Sequence, residues 1–322
     1  METIEGWSAR PDVVGARLAD GAMGAENRRI APFGPRAGVE LVMLEGIVQP
    51  FPLHFHDFWT VGQIVAGVRR MRCRGREHVL GPGDFVLFGP GEVHGCEPVG
   101  AAPLSYRSVV VPDGLFSLAA GEALGALDWT AGEGATEQPL CFARVVVRDE
   151  ALAACMARLY ELAALGAETD ALAQDEALLE LIAQTARHCA GGQASGGAVA
   201  REPEPVPPRA ARRAVARARA LVDARYEAGV SLDELAAAAG VSRYHLIRLF
   251  ADETGLTPHR YLQAVRANRA RDLLSAGTDP AEAAQRAGFS DQAHMTRVYK
   301  SFYGITPGRY RSAARPKLPG AR

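Results

Sequence analysis

Two histidines stand two residues apart in "FPLHFHDFWTVGQIVAG", residues 51–67, at His54 and His56. Residues i and i+2 of a strand share a face, so the spacing predicts two imidazoles side by side. A third, His94, ends "GDFVLFGPGEVH", where "PGEVH" predicts a tight turn delivering it from a later strand. Three convergent imidazoles can hold Zn, Fe, Ni or Cu. Without a metal, the same residues can line a pocket and hydrogen-bond an organic molecule. Trp59 follows the pair and can pack, face that pocket, or both. Cys73 and Cys96 fall in the same region, where a thiol can serve as ligand, redox switch or core residue.

These residues need a β framework. Over residues 38–111 the segments "VELVMLEGIV", "WTVGQIVAG", "VRRMRCRGREHVL", "DFVLFG" and "LSYRSVVV" read as strands with glycine-rich punctuation, as in a barrel or sandwich. Residues 149–189 switch period. Leu152, Met156, Leu159 and Leu162 recur at helical spacing, as do Leu178, Leu179 and Ile182, which predicts two helices joined near Gly166–Asp170. Their apolar positions exceed what one barrel face needs, so they are expected to dimerise the chain. Residues 190–210, "AGGQASGGAVAREPEPVPPRA", have a linker composition. After them no β-rich run remains.

Across that linker the charge changes sign. Residues 1–208 hold 16 basic and 27 acidic side chains, and residues 209–322 hold 20 and 10, so a net charge of −1 conceals about −11 and +10. A basic block of this size suggests a polyanion, nucleic acid first. No apolar run is long enough for a membrane span. The N-terminal residues lack the apolar core of a secretory signal. Five scattered cysteines without a CxxC fit reduced thiols in a cytoplasm.

The basic half repeats itself. "RLFADETGLTPHRY" (248–261) and "RVYKSFYGITPGRY" (297–310) agree at six of fourteen positions, and "LDELAAAAGVS" (232–242) faces "PAEAAQRAGFS" (280–290) upstream. Each copy reads as helix, glycine turn, helix, the helix-turn-helix arrangement. "SLDE" from Ser231 to Glu234 is a capping box, Gly240 and Gly288 sit at the turns, and Ser242 and Ser290 or Asp291 are placed to cap the second helices. In those helices Arg243, Tyr244, Ile247 and Arg248, then Gln292, Ala293, Thr296 and Arg297, are expected on the outward face. Arginine and glutamine suit guanine and adenine edges, and Ile or Thr methyls suit thymine. The helix predicted within 257–277 would hold the two reading helices about 34 Å apart, at successive major-groove faces.

Residues from about 213 to 312 resemble the DNA-binding domain of the AraC/XylS family. The resemblance rests on "SLDELAAAAGVSRYHLIRLF", on Gly-Leu-Thr-Pro followed by Tyr261, Leu262 and Arg266, on "ARDLL", and on "AGFSDQAHMTRVYKSFYGITPGRYR". The N-terminal region resembles the cupin-like sensor domain of such regulators. His54, His56 and Gly67 fit its first motif, with Thr60 where the motif has Glu. Gly83, Gly91 and His94 fit the second, with Gly89 and Pro98 at its Pro and Asn positions. The carboxylate ligand is therefore missing, and only a three-histidine metal site remains.

The resemblance implies a multidomain α+β chain. Its parts are a cupin-like β-barrel for effector binding (1–140), a helical dimerisation segment (141–190), a flexible linker (191–212), an all-α double helix-turn-helix domain (213–312) and a disordered tail (313–322). It implies a transcription factor that binds double-stranded DNA as a homodimer, with RNA polymerase as a partner and a small-molecule or metal effector in the barrel. His54, His56, Trp59 and His94 would line the effector pocket. His54, His56 and His94 would hold a divalent transition metal, if one binds. The competing reading is a three-histidine metal-dependent cupin enzyme fused to a DNA-binding module. Against it, no general acid or base stands near the motif.

Overall fold

The computed structural model describes residues 26–124, 140–165, 170–189 and 209–314. The described residues start with nine strands: β1 (Asn27–Pro32), β2 (Glu40–Ile47), β3 (Phe51–His54), β4 (Phe58–Ala66), β5 (Arg69–Cys73), β6 (Arg76–Leu80), β7 (Phe85–Phe88), β8 (His94–Pro98) and β9 (Leu104–Pro112). Helix α1 (Asp113–Ala123), a short β10 (Val146–Val147), α2 (Glu150–Leu165) and α3 (Ala171–Ala186) follow. The strands form two sheets. One has six strands in the order β1-β2-β9-β4-β7-β10, and the other has four in the order β3-β8-β5-β6.

Period-2 alternation assigns each strand two faces. On β4, Trp59 and Val61 point to the helix-covered side of the large sheet, while Ile64 faces the four-stranded sheet. "VRRMRCRGREHVL" is not one strand but a hairpin, β5–β6. It turns at Arg74 (φ 51°) and Gly75 (φ 68°), left-handed positions that end a strand.

The expected apolar surplus of the helices is largely used inside the chain. Leu152, Met156, Leu159, Leu162, Leu178 and Ile182 are buried in one cluster with Leu41, Val61, Leu87 and Val109 of the large sheet. Leu118, Leu165 and Leu172 are the large apolar side chains these helices leave exposed. Asp170 caps α3 by accepting from Leu172 N, and the joint expected from Gly166 lies mostly outside the described residues.

The basic half is helical: α4 (Arg209–Arg225), α5 (Leu232–Ala239), α6 (Arg243–Thr254), α7 (Pro258–Ser275), α8 (Pro280–Arg286), α9 (Gln292–Tyr303) and α10 (Pro307–Ala314). Helix α4 begins at Arg209, inside the segment expected as linker, because "RAARRAVARARA" is built of strong helix formers. The remaining linker positions and the tail beyond Ala314 lie outside the described residues.

Helices α5–α6 and α8–α9 are the two helix-turn-helix units, joined by α7. The capping box of Ser231 and Glu234 is formed, Ser242 accepts from His245 N, and Asp291, not Ser290, accepts from His294 N. At Gly288 (φ 80°) a Cβ would stand 2.6 Å from the Tyr226 carbonyl oxygen, so this turn requires glycine.

Candidate effector site and nucleic-acid interface

The three histidines converge. Ring centroids lie 4.7 Å apart for His54–His56 and His54–His94, and 5.2 Å apart for His56–His94. One ring nitrogen from each falls within 4.8 Å of the other two. Strand alternation is not the cause for the first pair: β3 ends at His54, and His56 lies in the following irregular segment. His94 opens β8 and is paired with His54 across the small sheet.

Local hydrogen bonds fix the tautomers. His54 Nδ1–H donates to the Pro52 carbonyl at 2.7 Å and His94 Nδ1–H to the Glu92 carbonyl at 2.8 Å. A carbonyl can only accept, so both Nε2 atoms keep their lone pairs. His56 Nδ1 is buried and has no partner. Burial drives the pKa of His54 and His56 well below the ordinary histidine value and that of His94 down to about 4. Neutral imidazoles with free nitrogens, steadied through the other ring nitrogen, are the donor set a transition metal takes. The described Cys73 and Cys96 do not belong to the cluster.

The histidines border a cavity of about 140 Å³ between the two sheets. Its walls are mainly apolar, including Leu44, Phe51, Ile64, Met71, Val86, Phe88 and Leu104. Polar positions include Thr60, Arg69, Cys96 and Tyr106. At Gly62 a Cβ would stand 1.9 Å from the Tyr106 hydroxyl, so the absent side chain makes room for that ring. Trp59 is a correction: it does not line the cavity. It faces the opposite side of β4, stacks on Phe116 at 4.3 Å and donates from Nε1 to Asp113 at 2.8 Å. Its odd position on the strand assigns it to the helix-covered face.

Part of the wall comes from the helical domain, which sequence reasoning missed. Arg271 of α7 and Phe302 and Tyr303 of α9 also line the cavity. Phe302 stacks on His54 at 5.2 Å and 9°, and Tyr303 stacks on His56 at 5.2 Å. Arg271 donates to Glu40 of β2 at 2.6 Å and lies 4.1 Å over the Phe58 ring. The Tyr310 hydroxyl donates to the other Glu40 oxygen at 2.7 Å. Burial opposes the Arg271 charge, but Glu40 holds its pKa above the ordinary value. Arg260 Nε–H donates to the Leu53 carbonyl, and Arg28 donates to the Gly304 carbonyl. Phe55, between the two histidines, enters the helical core against Tyr261 at 5.1 Å.

On the helix-turn-helix units, Arg243, Tyr244, Arg248, Gln292, Ala293 and Arg297 are exposed, and Ile247 and Thr296 are half-buried beside them. Tyr244 is 82% exposed, an unusual position for a large ring with no partner in the fold. Leu246, Phe250, Met295, Val298 and Tyr299 fill the inner face. Arg243 Nε stands 3.3 Å from Asp233 of the preceding helix.

Comparison with known proteins matches both halves. Residues 38–182 match the AraC-like ligand binding domain, and residues 235–313 match a helix-turn-helix domain. The HTH-type transcriptional regulator YbfI of Bacillus subtilis, itself uncharacterized, is 32% identical over 267 residues, covering 83% of this chain and 89% of that one. The regulator MtrA of Neisseria gonorrhoeae is 34% identical over 82 residues, 25% of this chain and 27% of that one. Among solved structures, ToxT of Vibrio cholerae is 10% identical with a TM-score of 0.46, covering 88% of this chain and 98% of that one.

Proposed function

Because the chain belongs to the AraC family of transcription regulators, we propose that the cavity beside His54, His56 and His94 is its effector pocket and that α9 carries occupancy to DNA. The chain is a transcription regulator with a ligand-binding N-terminal domain and a DNA-binding helix-turn-helix domain. One observation carries the reading. A single helix, α9, bears Gln292, Ala293, Thr296 and Arg297 toward its N-terminus and Phe302 and Tyr303 on the cavity wall at its C-terminus. Its twelve residues span about 17 Å, so a shift at the cavity reaches the reading face within one rigid element. Arg243, Tyr244, Ile247 and Arg248 of α6 read the neighbouring groove segment. The test is Phe302→Leu, which leaves the DNA-facing residues untouched. With circular dichroism unchanged, operator affinity or reporter output should shift at least threefold. Wild-type values for both would sink the coupling.

The chain acts in the cytoplasm, on double-stranded DNA and with RNA polymerase, as a regulator and not an enzyme. It assembles as a homodimer through α1–α3, whose Leu118, Leu165 and Leu172 are exposed. Light scattering of the full chain at tens of micromolar should give a dimer. A monomer both with and without DNA would refute it.

A second reading has its own support. The tied Nδ1 atoms of His54 and His94 leave two Nε2 atoms free to ligate, in a group whose candidate ligand atoms lie within 4.8 Å of one another, which favours a divalent transition metal on His54, His56 and His94. Chelator-stripped full chain should then take up one equivalent of cobalt(II), with visible absorption that His94→Ala abolishes. No uptake, or equal uptake in the variant, removes the metal. Oxygen consumption by the cobalt-free, iron-loaded chain would instead revive the enzyme alternative.

A further inference from the structure

Arg69 is the oddest side chain of the cavity. It sits on β5, where Arg69, Met71 and Cys73 alternate inward while Arg70 and Arg72 are exposed. It is fully buried, at 0% exposure, yet has no carboxylate partner among the described residues. Its guanidinium donates to the Gln49 carbonyl at 3.1 Å and to the Ile47 carbonyl. Those carbonyls take two of its five N–H donors, and its Nε is buried without any acceptor. Carbonyl dipoles satisfy donors but do not neutralise a charge, and a buried charge without a counterion is costly. Cys96, close to Arg69, cannot supply the anion, since burial pushes its thiol pKa upward. The other buried cation of the cavity, Arg271, already has Glu40. Among the described residues the cavity therefore has one buried cation with no carboxylate beside it.

The position of Arg69 says what kind of anion fits. On β5, Cys73 pairs with His94 and Arg69 with Pro98. Four residues separate the two ends, roughly 13 Å along the strand. The lining is mainly apolar, with Met71, Ile64 and Leu80 in it beside Cys96 and Tyr106. A bare inorganic anion would leave that lining uncovered. The volume of about 140 Å³ is close to that of a cavity which accepts benzene, about 150 Å³. Resting on the reading of this cavity as the effector pocket, we infer that the effector is a small organic acid: its carboxylate is held by Arg69, and an apolar body of ring or short-chain size extends toward the histidines. The Arg–carboxylate pair would supply a counterion, and the planar fork suits two-point binding.

The experiment compares acids with their uncharged isosteres on the full chain, stripped with EDTA so that no metal on the histidines supplies a cation. Hexanoate is paired with hexanamide and benzoate with benzamide, by titration calorimetry. The expected result is at least tenfold tighter binding of an acid than of its amide. Arg69→Gln should lower acid affinity at least tenfold, to that of the amide, and Arg69→Lys should retain a preference for the acid. Should Arg69→Gln fail to fold, the wild-type pairs and Arg69→Lys decide alone. Equal binding of acid and amide overturns the inference while leaving the cavity as effector pocket. So does an acid preference that survives in Arg69→Gln. If no member of either pair binds, the inference fails, and the pocket reading fails with it only if Phe302→Leu is also silent.

Discussion

Glu40→Ala should cost about 3–5 kcal/mol, the scale for removing one partner of a buried ion pair, and the loss should fall on the contact between the two halves of the chain. Glu40 is 5% exposed and accepts from Arg271 of α7 and from the Tyr310 hydroxyl of α10. Without the carboxylate, Arg271 keeps the faces of Phe58, Tyr303 and Tyr310 and a longer-range attraction to Asp272, which do not replace a direct buried ion pair. Urea unfolding checks this with two probes: tryptophan fluorescence, which includes Trp59 in the β-rich half, and far-ultraviolet circular dichroism, weighted to the helices. The wild type should unfold with coincident transitions. In Glu40→Ala they should separate, and adding Arg271→Met should recover part of the loss by removing the orphaned charge. A change below about 1 kcal/mol would mean that the pair is hydrated and contributes as a surface bridge does.

Replacing both Arg248 and Arg297 by alanine should remove most specific DNA binding. On the proposal that each arginine is bidentate to a guanine, each contributes about 1–3 kcal/mol of discrimination. The two sit on different helix-turn-helix units, so the losses should add to about 2–6 kcal/mol. Both side chains are exposed, so the fold should persist. Electrophoretic mobility shifts at fixed salt measure the loss. Operator affinity that stays at wild type with unchanged circular dichroism would show that other residues read the bases, and the exposed Tyr244 would be the next to test.

The helix-turn-helix units were legible because local signals decide them: capping residues, glycine turns, and an internal repeat that fixes which face is inward. The histidine cluster was legible from its motif, though for His56 the assumed mechanism of strand alternation was wrong. Trp59 could have been assigned to the outer face of β4 from its parity with Val61. Arg69 carried a readable signal too, an arginine in phase with Met71 and Cys73. That no carboxylate stands beside it among the described residues is a property of the folded interior and was not legible. The contributions of Glu40, Arg271, Phe302 and Tyr303 to one site depend on how two halves dock across more than 200 positions of sequence, and no local period encodes that.

Phe55 limits how freely the two halves can be exchanged. Regulators of this architecture invite recombination, a sensor from one chain grafted onto the DNA reader of another. Here the residue between two pocket histidines completes the hydrophobic interior of the reader, against Tyr261. A foreign sensor joined ahead of α4 would leave that socket empty. An isolated reader would display the socket as an apolar surface. A crossover ahead of α4 is thus not sufficient. A functional chimera must also carry residues 51–58 together with the reader they complete, so that this segment and the DNA-binding half are inherited as one piece although they are far apart in the chain.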